Sequence, residues 1–206
     1  MGAIKDYPKK SKPGEPVWEL ATLYSAQGGW TVDEYLALTQ STNRLIEFNQ
    51  GVLEFPAMPT RKHQEIVAYL YQLLLGRLGS KAGVWFAPIR VRVAPEKFRE
   101  PDLIVFRDKT DKRAANEFFD GADLVMEVVS PDEANHERDY QTKRAEYQAA
   151  GIPEYWIVDP NTRQITVLKL TKGKYIEHAV ATEGQSAKSA TLKGFEAEVT
   201  VVFTRE

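Results

Sequence analysis

The sequence predicts an α/β fold, a mixed β-sheet flanked by helices with additional antiparallel hairpins. Three observations predict it. The segment "RKHQEIVAYLYQLLLGRLGS" carries Ile66, Leu70, Leu73, Leu74 and Leu78 at helical spacing. Short apolar runs such as "DLIVFRD" and "DLVMEVVS" have the length and the β-branched content of strands. The order along the chain is helix, strands, helix, strand and then hairpins, which suits one domain around a mixed sheet.

In chain order, residues 1–29 read as a polar arm rich in Lys, Pro and Gly, and residues 30–206 as a single domain. A helix begins at Thr31, because "TVDE" has the capping-box form, with Glu34 three residues after the cap. "RLIEFNQGVLEF" places two apolar runs around Asn49-Gln50-Gly51 and reads as a β-hairpin. A helix follows from about His63 to Leu78 and stops at Gly79. "GVWFAPIRVRVA" reads as one strand, "DLIVFRD" as a second and "DLVMEVVS" as a third. In the second, alternation puts Asp102, Ile104 and Phe106 on one face. "HERDYQTKRAEYQAAG" is a helix ended by Gly151, with Pro153 beyond it. "PEYWIVDP", "QITVLKL" and "YIEHAV" complete the strands, the last two joined by the turn "TKGK".

Composition narrows the function. The chain has 206 residues, 43% hydrophobic and 27% charged, so it can bury a core. Cysteine is absent, which removes disulfides and thiolate metal sites and fits a reducing, cytoplasmic setting. No apolar run is long enough for a bilayer, and "MGAIKDYPKKSKPGEP" has no apolar signal core. The formal charge is −2, so nucleic-acid binding would depend on local patches and bound cations rather than on a global field.

Glu127 is the residue that demands an explanation. It stands inside the apolar run "LVMEVVS", where an unpaired charge costs several kcal/mol or more. Asp102 opens the preceding strand after Pro101, and Lys143 lies on the following helix. Asp139, Lys143 and Tyr147 recur every fourth residue and share a helix face. If the two strands are neighbours, Asp102 and Glu127 converge at one end of the sheet, and the helix packing over it brings Lys143 alongside. Two adjacent carboxylates repel, and a divalent cation relieves the repulsion. Mg²⁺ favours one or two carboxylates with waters and phosphate oxygens, and Mn²⁺ can substitute. A lysine beside such a centre can orient water or offset developing charge, so the set suits phosphodiester hydrolysis.

"EPDLIVF" followed by "DLVMEVVSPD" resembles the PD-(D/E)XK nuclease superfamily. More narrowly, "LVMEVVSPD" with "RDYQTKRAEYQAAGIPEYWIVDP" resembles its "putative restriction endonuclease" family, once a domain of unknown function. "RLIEFNQGVL", "RKHQEIVAYL" and "LKGFEAEVTVVF" resemble further segments of that family, so the likeness runs from about Thr31 to Phe203. It implies a restriction-endonuclease-like fold, Asp102 and Glu127 as metal ligands, and Glu47 or His63 completing the pocket. It also implies a DNA substrate and, by analogy with enzymes that cut two strands, a homodimer. The superfamily's usual lysine position is Val129 here. Lys143 fits the variant in which the next helix supplies the lysine.

Ordinary roles compete with these. Glu127 reads as a ligand ahead of a structural acid paired with an arginine. Asp102 could cap a turn after Pro101. Asp139 could cap the helix or pair with Lys143, and Tyr147 reads as packing rather than catalysis. His63 follows Arg61 and Lys62, and either a solvated role or a phosphate contact suits it. Glu47 is open between a pocket acid and an ordinary strand residue. Trp156 reads as core. Arg90 and Arg92 read as a solvated face, and the aromatic residues do not alternate with basic ones as in single-strand binders. Val129 motivates a rival, a non-catalytic nucleic-acid-binding or interaction module on the same fold. A two-carboxylate glycosidase lacks the aromatic platform that a sugar would need.

Overall fold

A computed structural model describes residues 12–13, 24–42, 44–130 and 137–204. Residues 1–11 and 14–23 of the expected arm lie outside the described residues, as does His136 at the expected start of the third helix.

Helix α1, Val32–Gln40, starts at the capping box read from the sequence: the Glu34 N–H donates to Thr31 Oγ1, and the Thr31 N–H donates to Glu34 Oε2 at 2.8 Å. The hairpin follows as β1, Glu47–Asn49, and β2, Val52–Glu54. Its two turn residues, Gln50 and Gly51, both have positive φ, 48° and 84°, as the tight hairpin turn requires. Gly51 also admits a neighbour. Its carbonyl accepts from the N–H groups of Gly28 and Trp30, and a Cβ there would stand 2.8 Å from Gly28 O.

Helix α2, Arg61–Leu78, is capped by Thr60 and ends at Gly79, φ 65°. Its apolar stripe is buried: Leu70 and Leu74 are 0% exposed, and burying each such side chain contributes about 1.5–3 kcal/mol.

The segment "GVWFAPIRVRVA" differs from the expectation of one strand. It forms two, β3, Gly83–Phe86, and β4, Val91–Ala94, in different sheets. Pro88 lies between them and lacks the N–H that a continuous ladder needs. A short strand that the sequence did not announce, β5, Lys97–Arg99, pairs with β4 and β1. Then come β6, Leu103–Phe106; β7, Phe119–Asp120; and β8, Leu124–Val128. A π-helical turn, Arg138–Thr142, runs into α3, Lys143–Ala149. The chain ends with β9, Glu154–Asp159; β10, Gln164–Thr171; β11, Lys174–Ala181; β12, Ser186–Lys188; β13, Glu196–Glu198; and α4, Val199–Thr204.

The strands form a six-stranded sheet, β11-β10-β9-β8-β6-β3, a five-stranded sheet, β2-β1-β5-β4-β7, and the pair β12-β13. The larger sheet is mixed: β8 and β9 run parallel, and its other neighbours run antiparallel. Side chains alternate across it. Leu103, Val105, Met126 and Trp156 pack with Ile66, Leu70 and Leu74 of α2. Ile104, Phe106, Val125 and Ile157 pack with Tyr147 of α3. Trp156 is fully buried, as expected of a core residue. Among the described residues no helix is long and apolar enough to cross a membrane.

Candidate active site

Strands β6 and β8 are neighbours, and their antiparallel ladder reaches Leu103 opposite Met126, one residue short of Asp102 and Glu127. Asp102 is tied across this junction. Its Oδ2 accepts from the Val128 N–H at 2.8 Å and lies 3.2 Å from His63 Nε2. His63 is delivered by the first turn of α2, held there by its N–H donating to Thr60 Oγ1. Burial disfavours the imidazolium, but the hydrogen bond to Asp102 and the charges of Asp102 and Glu127 outweigh it, so the His63 pKa is raised.

Glu127 faces α3, where its partners stand. The Lys143 ammonium lies 2.9 Å from Oε2, and the Tyr147 hydroxyl donates to Oε1. Burial pushes the carboxyl up; Lys143 pulls it down while Asp102 and Asp139 push it further, and it settles at about 7. The acid inside the apolar strand is therefore balanced by an ammonium and a phenol. A second buried carboxylate, Glu154, is satisfied differently, by the neutral donors Trp156 Nε1, Ser189 Oγ and the Thr191 N–H and hydroxyl. Glu127 differs in sharing its cation with other acids.

Lys143 is that shared cation. It is 3% exposed, 2.9 Å from Glu127, 3.2 Å from Asp139 and 3.9 Å from Glu47. Burial lowers its pKa, but the three carboxylates more than reverse this, and it stays protonated. Glu47 is 1% exposed and sits against Arg99 at 2.9 Å, with Arg138 at 3.8 Å; its Oε1 accepts from the Glu100 N–H. Burial raises the Glu47 pKa, but Lys143, Arg138 and Arg99 together hold it below the usual range.

The five residues singled out from the sequence, Glu47, His63, Asp102, Glu127 and Lys143, thus line one cavity of about 690 Å³. Glu100, Arg138 and Asp139 join them there. Asp139 pairs with Lys143 rather than capping the helix, and Tyr147 is both packed and bonded to Glu127. Sequence reasoning missed Arg99. It is 1% exposed; its Nε and Nη2 donate to both oxygens of Glu146, and its Nη1 reaches Glu47 and Glu54. Glu146 lies one turn beyond Lys143 on α3, and no local spacing in the sequence points from it to Arg99. Arg90 and Arg92 are partnered within the protein, by Thr39 and by Asp120.

Among the described residues no three His, Asp or Glu side chains converge on one metal position. Two hard carboxylates with the remaining positions filled by water and phosphate is nevertheless the donor pattern that Mg²⁺ takes. Asp102 and Glu127 are of the residue type this pattern uses; the Glu127 pKa is raised chiefly by burial, with Asp102 and Asp139 adding to it and Lys143 opposing it.

A family model described as "Uma2: Putative restriction endonuclease" matches residues 32–201. A solved structure is also similar, described as a "putative nuclease belonging to DUF820" from Anabaena variabilis ATCC 29413. It is 18% identical, with a TM-score of 0.68, covering 84% of this chain and 97% of that one. At that identity the likeness shows the fold, a mixed α/β arrangement of sheets flanked by helices. No curated protein matches the sequence.

Proposed function

The chain belongs to the Uma2 family of restriction-endonuclease-like proteins, and from that premise we propose that it is a divalent-metal-dependent endonuclease hydrolysing DNA phosphodiester bonds. The observation that carries the proposal is the 2.9 Å pair between Lys143 and Glu127 in the cavity that Asp102 also lines. Asp102 and Glu127 would hold Mg²⁺ or Mn²⁺, which when bound lowers the pKa of a water and offsets charge on a phosphodiester.

The protein's own groups do the rest. Lys143 has a raised pKa, so it acts as a donor and not as a base: it orients the attacking water or stabilises the pentacovalent charge. Val128 N–H and His63 fix the Asp102 carboxylate in place. Arg138 and Lys143 keep Glu47 ionised beside them. The absence of a lysine at position 129 is compatible with this scheme, because α3 brings Lys143 to the same carboxylate. Two copies acting together, in the cytoplasm, would cut both strands.

One observation favours a second reading, a non-catalytic nucleic-acid-binding module. Both Glu127 oxygens and Asp102 Oδ2 already meet protein donors, so the acids are balanced without a metal. Plasmid DNA incubated with the protein and Mg²⁺ or Mn²⁺ separates the two. Cleavage by the wild type and none by Asp102→Ala supports the nuclease; equal cleavage by both removes this site from consideration. Binding that is indifferent to metal and never followed by cleavage supports the module.

A further inference from the structure

The acidic and cationic side chains occupy only part of the 690 Å³ cavity. The rest of its lining includes Phe55, Met58 and Pro88, with Phe55 and Met58 on the segment that joins β2 to α2. This segment is exposed: Phe55 is 58% and Met58 88% accessible. Large apolar side chains so open to water, beside a polar cleft, mark a surface that something covers. Pro56 and Pro59 bracket Met58 closely, and each has its own φ fixed by its ring. Arg44, exposed and lining the same cavity, adds a cation to it.

A phosphodiester held at Asp102, Glu127 and Lys143 brings its sugar and base with it. In an intact duplex that base has both faces stacked on its neighbours and cannot meet a ring. An unpaired base offers a free π-face, for which an accessible phenylalanine and a thioether are suitable partners. The acids of the charged half are only partly matched, Glu47 by Arg99, Asp102 by His63 and Glu127 by a Lys143 that Asp139 shares, so a phosphate there relies on Arg44, Arg138 and a bound divalent cation to offset the remainder. Alternation of rings with cations along the sequence does not reveal such a platform, because Arg44 and Phe55 reach one cavity from either side of the β1–β2 hairpin, eleven residues apart in the chain.

We propose that the Phe55–Met58 lip is a nucleobase platform, so that the cavity takes a single DNA strand with one base unstacked beside the scissile phosphate. This rests on the nuclease reading above for its choice of ligand. Fluorescence anisotropy tests it, using a labelled mixed-sequence DNA 12-mer and the same sequence as duplex, with Ca²⁺ replacing Mg²⁺. The single strand should bind more tightly than the duplex. Phe55→Ala should weaken single-strand binding about ten-fold, Met58→Ala less, and Ile176→Ala, an exposed apolar residue on β11, not at all. An abasic nucleotide in the strand should cost the wild type affinity and cost Phe55→Ala little more. Unchanged melting temperatures show that the variants fold. Equal affinity for strand and duplex, unchanged binding by Phe55→Ala, tighter binding of an RNA 12-mer, or no binding at all each overturns the platform. A strand bound through Phe55 but never cut overturns the hydrolase and leaves the platform. Plasmid cleavage without strand preference does the reverse.

Discussion

The Lys143 ammonium stands 2.9 Å from Glu127 Oε2, with both residues 3% exposed. Removing one member of such a pair leaves the other charged and dry, which costs about 3–5 kcal/mol. Lys143→Met should therefore destabilise the protein by about that much in urea unfolding. The double variant Lys143→Met/Glu127→Gln should recover a large part of the loss. Simple additivity of the two single losses would show that the pair does not act as a unit.

The Tyr147 hydroxyl is the second donor to Glu127. Tyr147→Phe keeps the ring in its place between the sheet and α3 and removes only the hydroxyl. A loss of about 1–3 kcal/mol is expected, smaller than for Lys143→Met. A null effect in urea denaturation would mean that the carboxylate has another donor in solution.

Glu146 is depressed for a reason that can be titrated. Burial raises its pKa, but Arg99 and Lys97 outweigh burial. A carboxylate whose folded pKa is below its unfolded value stabilises the fold above the unfolded value, about 4.3 for Glu, and that stability is lost as pH falls through the folded value. Glu146→Gln should be the less stable protein at pH 7, and the gap to wild type should close below about pH 4.3. Unfolding free energies from pH 7 to pH 3 check this; a gap constant with pH would assign the effect to packing.

Metal binding has a readout that needs no cleavage. An ion that binds the folded state at a hundred times its Kd adds about 2.7 kcal/mol of stability. Mg²⁺ or Mn²⁺ should raise the melting temperature of the wild type, and Asp102→Ala and Glu127→Gln should lose the increase. Equal shifts in all three proteins would place the ion elsewhere.

Much of this was legible in the sequence because it rests on local rules. Thr31 and Glu34 announce a helix start by their spacing, and the apolar runs on either side of Asn49-Gln50-Gly51 announce a hairpin. The triad of Asp102, Glu127 and Lys143 was legible for another reason: a carboxylate in an apolar strand needs a partner, and the next strand and helix are the nearest elements. What was not legible depends on long-range packing. The division of residues 83–94 between two sheets is decided by which partner each half finds, and Val84 and Val91 look alike in sequence. Arg99 sits two residues before Pro101 with no periodic signal. Its burial becomes intelligible only when Glu47, Glu54 and Glu146 surround it. The role of Phe55 was hidden similarly, since only the fold gives it a cavity to line.

The supports of the three candidate side chains are divided. Glu127 rides on β8 and Asp102 immediately precedes β6, tied to β8 by the hydrogen bond it accepts from the Val128 N–H. The lysine rides on α3, entered through a π-helical turn and anchored one turn later by Arg99 of the smaller sheet. Neither sheet alone positions all three side chains. A substitution in β5 can therefore draw the Lys143 amine away while leaving both carboxylates where they are, a fault of alignment that would not touch the acids themselves.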